Sequence, residues 1–190
     1  MTFSVLFVCT GNVCRSPMAE RLMRAQLDPQ APVAVTSAGT MALVGRPIDP
    51  PSAHALSELG ADSSGHVARR LTPELIDAAD LVLTATLVHR SAVIEGRPRS
   101  YPRVFTIREF GRLGRELEPV SAAPTTASLR ERVAAVAARR GSAVLAEPGE
   151  DDIGDPFGRG LKLAQACAAQ VAEAVSVVIA VMGLGSSRPA

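Results

Sequence analysis

The stretch VLFVCTGNVCRSPMAE, residues 5–20, constrains the fold more than any other part of the chain. Val5 to Val8 is an unbroken apolar run, the pattern of a strand buried on both faces. From Ser16 the period changes: Met18, Leu22 and Ala25 fall on one helical face, with Pro17 in the first turn, where proline is tolerated. A buried strand that passes through a short polar loop straight into a helix must be followed by a parallel neighbour. The expected followers are Val33 to Thr36, DLVLTAT (80–86) and RVFTI (103–107). Helical segments separate them: Ser52 to Leu59 closed by Gly60, TPELIDAA (72–79), and Thr86 to Ile94. This alternation predicts an α/β three-layer sandwich, a four-stranded parallel sheet with helices on both faces.

A length of 190 residues suits one domain, here residues 1–183, with 184–190 expected to be a disordered tail. Residues 111–149 read as a less regular insertion. Within it Ser128 and Glu131 form a capping-box pattern, Gly141 marks the expected helix end, and Leu129, Val133 and Val136 make one apolar face. Its arginines read as a solvated face. The last helix carries the stripe Leu163, Cys167, Val171, Val175, Val178 and Met182. The formal net charge is +1, which gives no electrostatic case for nucleic acid or an anionic membrane as partner. Three cysteines are too few, and odd, for a disulfide scaffold, so a reduced cytoplasmic protein is expected. The N-terminus lacks the charged region of a signal peptide. The apolar run Ala174 to Met182 is too short to span a bilayer, so no membrane segment is expected.

The loop after the first strand lies where open α/β sheets place ligands, at the carboxyl ends of the strands. Successive backbone N–H groups there wrap an anion, and the helix dipole adds positive potential. Gly11 permits the close turn, and Asn12 tolerates left-handed backbone angles. Arg15 offers a planar fork matched to two phosphate oxygens. Thr10, Gly11, Asn12, Val13, Cys14, Arg15 and Ser16 are therefore the candidate phosphate-binding run. Such surroundings favour a thiolate, and one at the floor of a phosphate cradle is a nucleophile aimed at phosphorus; Cys9 holds that position, with Ser16 able to donate a hydrogen bond to the sulfur. A leaving alkoxide or phenolate then needs a proton. Acidic candidates cluster late, at Glu147, Glu150, Asp151, Asp152 and Asp155; Asp155 is preferred because Pro156 stiffens its backbone, and Phe157 beside it would line the pocket mouth.

VCTGNVCRSPMAE and DPFG together, with SAGT, GRPIDP and HVARRLT in order between them, resemble the low-molecular-weight protein-tyrosine phosphatase family over roughly residues 3–110 and 152–182. The resemblance implies a four-stranded parallel sheet, no metal, no cofactor, and hydrolysis through a phosphocysteine intermediate. By position it makes Cys9 the nucleophile, Arg15 the phosphate clamp and Asp155 the general acid, then base. Asn12, Ser16, Ser37 and His66 match its supporting network, and Cys14 matches a neighbouring cysteine able to form a disulfide with the nucleophile. The implied partner is a tyrosine-phosphorylated protein; the sequence does not fix the oligomeric state, a monomer or weak dimer.

Three departures bear on substrate. Met41, Ala42 and Leu43 stand where members with a phosphotyrosine preference often carry an aromatic wall, and Phe157 is followed by Gly158 rather than a second aromatic. Leu43 and Phe157 remain the expected pocket walls. Thr86 stands where an acidic residue is common, and the 111–149 segment lengthens the path to Asp155, where it would cover the site, restrict access or bind a partner. Val13 offers no polar group to a guanidinium, which favours a phosphoaryl ester over phosphoarginine. Two alternatives stay open at this point. One is an arsenate reductase, which needs later thiols where this chain has only Cys167; the other is a phosphate-binding module with little turnover.

Overall fold

The computed structural model describes residues 2–119, 123–142 and 146–185. Strand β1 (Phe3–Cys9) pairs with β2 (Val33–Gly39) on one side and with β3 (Leu81–Thr84) on the other; β4 (Val104–Thr106) extends the sheet beyond β3. All pairings are parallel and the order is β2-β1-β3-β4. This is the predicted four-stranded sheet. The strands are bounded as expected to within a few residues, with β1 and β2 each continuing to the last residue before the functional loop.

The unbroken apolar run of β1 is explained by its two faces. Phe3, Val5 and Phe7 point into the larger core, and Leu6 and Val8 into the smaller one. The larger core is covered by α1 (Arg15–Gln26), α2 (Pro50–Glu58), α5 (Ile107–Gly114), α6 (Thr126–Ala138) and α7 (Leu161–Met182). The smaller is covered by α3 (Pro73–Ala78) and α4 (Leu87–Gly96), through Ile76 and Val93.

Helix α7 begins at Leu161, well before the apolar run at 174–182. By length and composition it would be able to cross a bilayer. Its apolar side is instead packed into the larger core: Cys167, Val171, Val175, Val178 and Met182 are all buried there. Leu163, expected on the same stripe, is exposed, because the first turn of α7 overhangs the core. Leu184, assigned to a disordered tail, is buried, and Gly185 bridges to Leu27; the tail residues 186–190 lie outside the described residues.

The 111–149 segment differs most from expectation. Its first residues, Gly111 to Gly114, finish α5, which Thr106 and Glu109 start with a capping box. The capping box of α6 is formed by Thr125 and Ser128, not by Ser128 and Glu131, so the helix starts earlier. Leu129, Val133 and Val136 are buried as predicted. The arginines are a solvated face only in part: Arg130 is exposed, whereas Arg132 and Arg140 are partly buried. Arg130 pairs with Asp80 at 2.8 Å and Arg132 donates to the Val181 carbonyl. Arg140 lies 3.9 Å from the Phe105 ring centroid and 4.6 Å from that of Tyr101, pairs with Glu109, and donates to the Val104 carbonyl on the free edge of β4. The segment thus seals a sheet edge that would otherwise present unpaired carbonyls. Its partners Asp80, Val104, Glu109 and Val181 lie outside the loop that follows β1, so α6 is not a cover over that loop. Residues 120–122 and 143–145 of the segment lie outside the described residues.

Close backbone contact joins α5 to α7. A Cβ on Gly114 would meet both methyls of Val181, Cγ2 at 2.8 Å, and one on Gly111 would meet Val177 Cγ1 at 2.8 Å. Gly114→Ala should therefore destabilise the fold by about 1–2 kcal/mol, overpacking outweighing the helix-propensity gain. Urea unfolding monitored by circular dichroism measures this; an unchanged or raised midpoint would contradict the close α5–α7 packing.

Candidate active site

The loop between β1 and α1 is shaped by what holds its carbonyls. Those of Cys9, Thr10 and Gly11 accept from the amides of Thr40, Met41 and Leu43, each at 2.9 Å. That of Asn12 accepts from His66 Nε2 at 2.7 Å, and that of Val13 from the Asp49 amide at 2.8 Å. With these carbonyls turned outward, the amides of the loop are left to the concave side, as in other anion-binding nests. The donors come from the segment that follows β2, which is why β1 and β2 must run parallel and end level, with Cys9 opposite Gly39.

Asn12 sits at φ 55°, the only non-glycine in the left-handed region among the described residues. Its side chain explains how the strain is borne. Oδ1 accepts from the Arg69 amide at 2.9 Å, which leaves Nδ2 to donate to Ser16 Oγ at 3.0 Å and to Ser37 Oγ at 2.9 Å. Ser37 in turn donates to the buried Glu20 carboxylate at 2.5 Å. Because Ser16 Oγ accepts from Asn12, its own hydrogen is available to the Cys9 sulfur, 3.0 Å away, with the Ala38 carbonyl a longer alternative acceptor at 3.4 Å. The chain Glu20–Ser37–Asn12–Ser16 thus ends in a donor aimed at Sγ. His66 is buried, and burial lowers its pKa; as a neutral ring donating from Nε2 it braces the Asn12 carbonyl.

Arg15 opens α1 and is almost fully buried, its guanidinium donating to the Ile153 carbonyl at 3.3 Å and to Thr10 Oγ1 at 3.4 Å. Asp155 reaches it: Oδ2 lies 2.7 Å from Nη2, and Oδ1 accepts from the Phe157 amide at 3.3 Å. The other acidic residues of that region serve to place it. Asp151 is gripped by both nitrogens of an Arg112 fork, at 3.2 and 2.7 Å. Asp152 accepts from the Leu87 amide at the start of α4, and Ile153 hydrogen-bonds Ala85 at the end of β3. Asp155 alone of the cluster faces the cavity, whose volume is about 170 Å³.

Cys9, Thr10, Gly11, Val13, Cys14, Arg15, Leu43, Asp155 and Phe157 all border that cavity, together with Met41. Ser16, Ser37, Asn12 and His66 lie behind it in the hydrogen-bonded chain. Cys14 is a buried free thiol pushed up to about 12, chiefly by burial, and the same holds for Cys167 on α7. The residues that sequence reasoning missed are Glu20, Arg69 and His89; Thr86 it noted as standing where an acidic residue is common. Glu20 had a signal, since it lies one helical turn after Ser16 on the same face. His89 had none, because its contact with the loop, to Thr10, joins segments 79 positions apart.

A model of the family described as low molecular weight phosphotyrosine protein phosphatase matches residues 4–128. A Ralstonia nicotianae protein named as a probable low molecular weight protein-tyrosine-phosphatase, EpsP, is 38% identical over 110 residues, 58% of this chain and 74% of its own. A protein-arginine-phosphatase of Bacillus subtilis is 39% identical over 118 residues, 60% of this chain and 78% of its own. The solved YwlE arginine phosphatase from Geobacillus stearothermophilus superimposes with a TM-score of 0.68 at 27% identity, covering 93% of this chain and 90% of that one.

The loop depends on a bare Cα beside it. A Cβ on Gly39 would meet the Thr10 carbonyl oxygen and, at 3.0 Å, the Asn12 nitrogen, both backbone atoms that have no side-chain freedom to give way. Gly39→Ala should weaken binding of inorganic phosphate by about tenfold or more, since misplacing a binding group by an ångström is enough for such losses. Titration calorimetry on the folded variant checks this, and undiminished affinity would contradict the proposed cradle.

Proposed function

The chain belongs to the low molecular weight phosphotyrosine protein phosphatase family, and on that premise we propose that it removes the phosphoryl group from phosphotyrosine in proteins, through a phosphocysteine formed on Cys9. The observation that carries the reading is a convergence on one small cavity. A sulfur with a hydroxyl donor at 3.0 Å, a buried guanidinium and a carboxylate from the far end of the chain all border it.

The steps follow from that geometry. The substrate's phosphoryl oxygens take the loop amides and the Arg15 fork, a pairing that matches two parallel N–H donors to two oxygens. A dianion on the guanidinium displaces the Asp155 carboxylate from its 2.7 Å contact; freed of that ion pair beside the departing oxygen, the carboxylate takes up a proton from solvent and stands as the acid. The Cys9 thiolate attacks phosphorus in line, the P–O bond to the phenol breaks, and Asp155 supplies the phenol's proton. Asp155, now a carboxylate, takes a proton from water as that water attacks phosphorus and the S–P bond breaks. The Ser16 hydroxyl stabilises the sulfur as it leaves.

The walls favour an aryl ester. Val13 is buried and apolar, and Met41, Leu43 and Phe157 surround the mouth, so a phenyl ring finds hydrocarbon there while a guanidinium finds no neutral polar partner from Val13. The arsenate reductase alternative is not favoured. Cys167, the thiol that would have to relay a disulfide, is fixed in the core of α7, and burial pushes it up to about 12.

Hydrolysis of an aryl phosphate should proceed in the presence of a chelator and be lost in Cys9→Ser. Asp155→Ala should slow esters of poor leaving groups far more than those of good ones; equal slowing would remove Asp155 from the acid role. Val13→Thr should shift the ratio of phosphoarginine to phosphotyrosine hydrolysis upward, measured on matched peptides, and an unchanged ratio would separate Val13 from substrate choice.

A further inference from the structure

A buried histidine outside the steps above is wired into the catalytic loop. His89, on the first turn of α4, is 7% exposed. Its Nε2 lies 2.8 Å from Thr10 Oγ1 and its Nδ1 lies 2.6 Å from Thr86 Oγ1. Thr10 is the residue after the nucleophile, borders the cavity, and accepts from Arg15 Nη2 at 3.4 Å. We propose that His89 is a positioning residue for phosphate: through Thr10 it orients a hydroxyl donor into the cradle and steadies the Arg15 guanidinium. The proposal rests on the phosphatase reading of the same site.

Hydrogen accounting supports the assignment. Burial and the neighbouring Arg15 charge lower the His89 pKa to about 4, against smaller opposing effects from Asp155 and Asp152. The ring is therefore neutral near pH 7, with one nitrogen donating and one accepting. Thr86 Oγ1 already accepts from the His89 amide at the start of α4, at 3.4 Å. Nδ1 is the acceptor within reach of the Thr86 hydrogen. Nδ1 then accepts, and Nε2–H donates to Thr10 Oγ1. Thr10 consequently accepts twice, from His89 and from Arg15, and its own hydrogen has only the cavity side left. A phosphoryl oxygen held by the loop amides provides the matching acceptor.

A side chain that merely filled space between α4 and the loop would not care which ring nitrogen is replaced. The positioning role does. His89→Gln keeps an amide near Nε2 and so keeps the contact to Thr10; His89→Asn keeps one near Nδ1 and only reaches Thr86. Thr10→Val removes the hydroxyl at closely matched volume. The experiment measures kcat/KM for an aryl phosphate and, by calorimetry, the Kd of inorganic phosphate, for wild type, the three single variants and the Thr10→Val/His89→Asn double variant.

The expected result is a loss of about tenfold, the equivalent of ~1.4 kcal/mol, in His89→Asn and in Thr10→Val. His89→Gln should stay within about threefold of wild type, and the double variant should lose about tenfold rather than the hundredfold that independent effects would multiply to. Equal losses in the Gln and Asn variants, multiplicative losses in the double variant, or a Thr10→Val enzyme indistinguishable from wild type would each overturn the proposal. If wild type binds phosphate but turns over no aryl ester, the phosphatase reading fails, and the same cycle in Kd still decides the role of His89.

Discussion

Five consecutive peptide carbonyls, from Cys9 to Val13, are turned away from the cavity and held by donors outside the loop. A short loop with its acceptors committed in this way has its N–H groups left for the other side, and that asymmetry is what makes an anion site without a cluster of charged side chains. Most of the donors belong to the stretch after β2, so the cradle is an extension of the β1–β2 pairing rather than a property of the loop alone. Gly39 is where the two meet, and its missing Cβ is the space the Thr10 carbonyl occupies. The left-handed Asn12 belongs to the same construction, its backbone angle held by Arg69, Ser16 and Ser37 acting on its amide group.

The charged side chains that border the cavity are Arg15 and Asp155. Arg15 lies under the loop with Asp155 against it, and a dianionic phosphate is a stronger partner for that guanidinium than one carboxylate is. In the mechanism proposed above, the exchange of partners is also what frees Asp155 to stand beside the leaving group. Asp155 is delivered there by a loop pinned at Asp151, Asp152 and Ile153, three contacts that draw on α5, α4 and β3 in turn. The lengthened segment before it bears on the sheet edge through Arg140 and on Asp80 through Arg130. Its described residues brace the scaffold, and Met41, Leu43 and Phe157 border the mouth of the cavity.

Much of the scaffold was legible because it rests on local pattern. The two-faced apolar run of β1, the period change at Ser16 and the alternation of strands with helices are properties of neighbouring residues, and they recovered the sheet and the order of its parts. The errors fell where tertiary partners decide. Leu163 obeys the helical stripe but overhangs the core. Arg130 on α6 and Arg140 just after it were read as a solvated face but find Asp80, and Glu109 with two aromatic rings, respectively. Leu184 reads as tail and is buried, because α7 ends where the larger core still has room for it.

By itself the sequence singled out the candidate reacting groups: a cysteine at a strand end, an arginine at the following helix start, and an Asp–Pro pair near the last helix. Each is set by residues a few positions apart, so spacing sufficed. Tertiary structure alone decided that Asp155 rests against the Arg15 guanidinium, that Glu20 terminates the hydrogen-bonded chain reaching the sulfur, and that His89 touches Thr10 across 79 positions. Those contacts lie between segments whose separation along the chain carries no periodic signal, and only the packed sheet brings them within hydrogen-bonding distance.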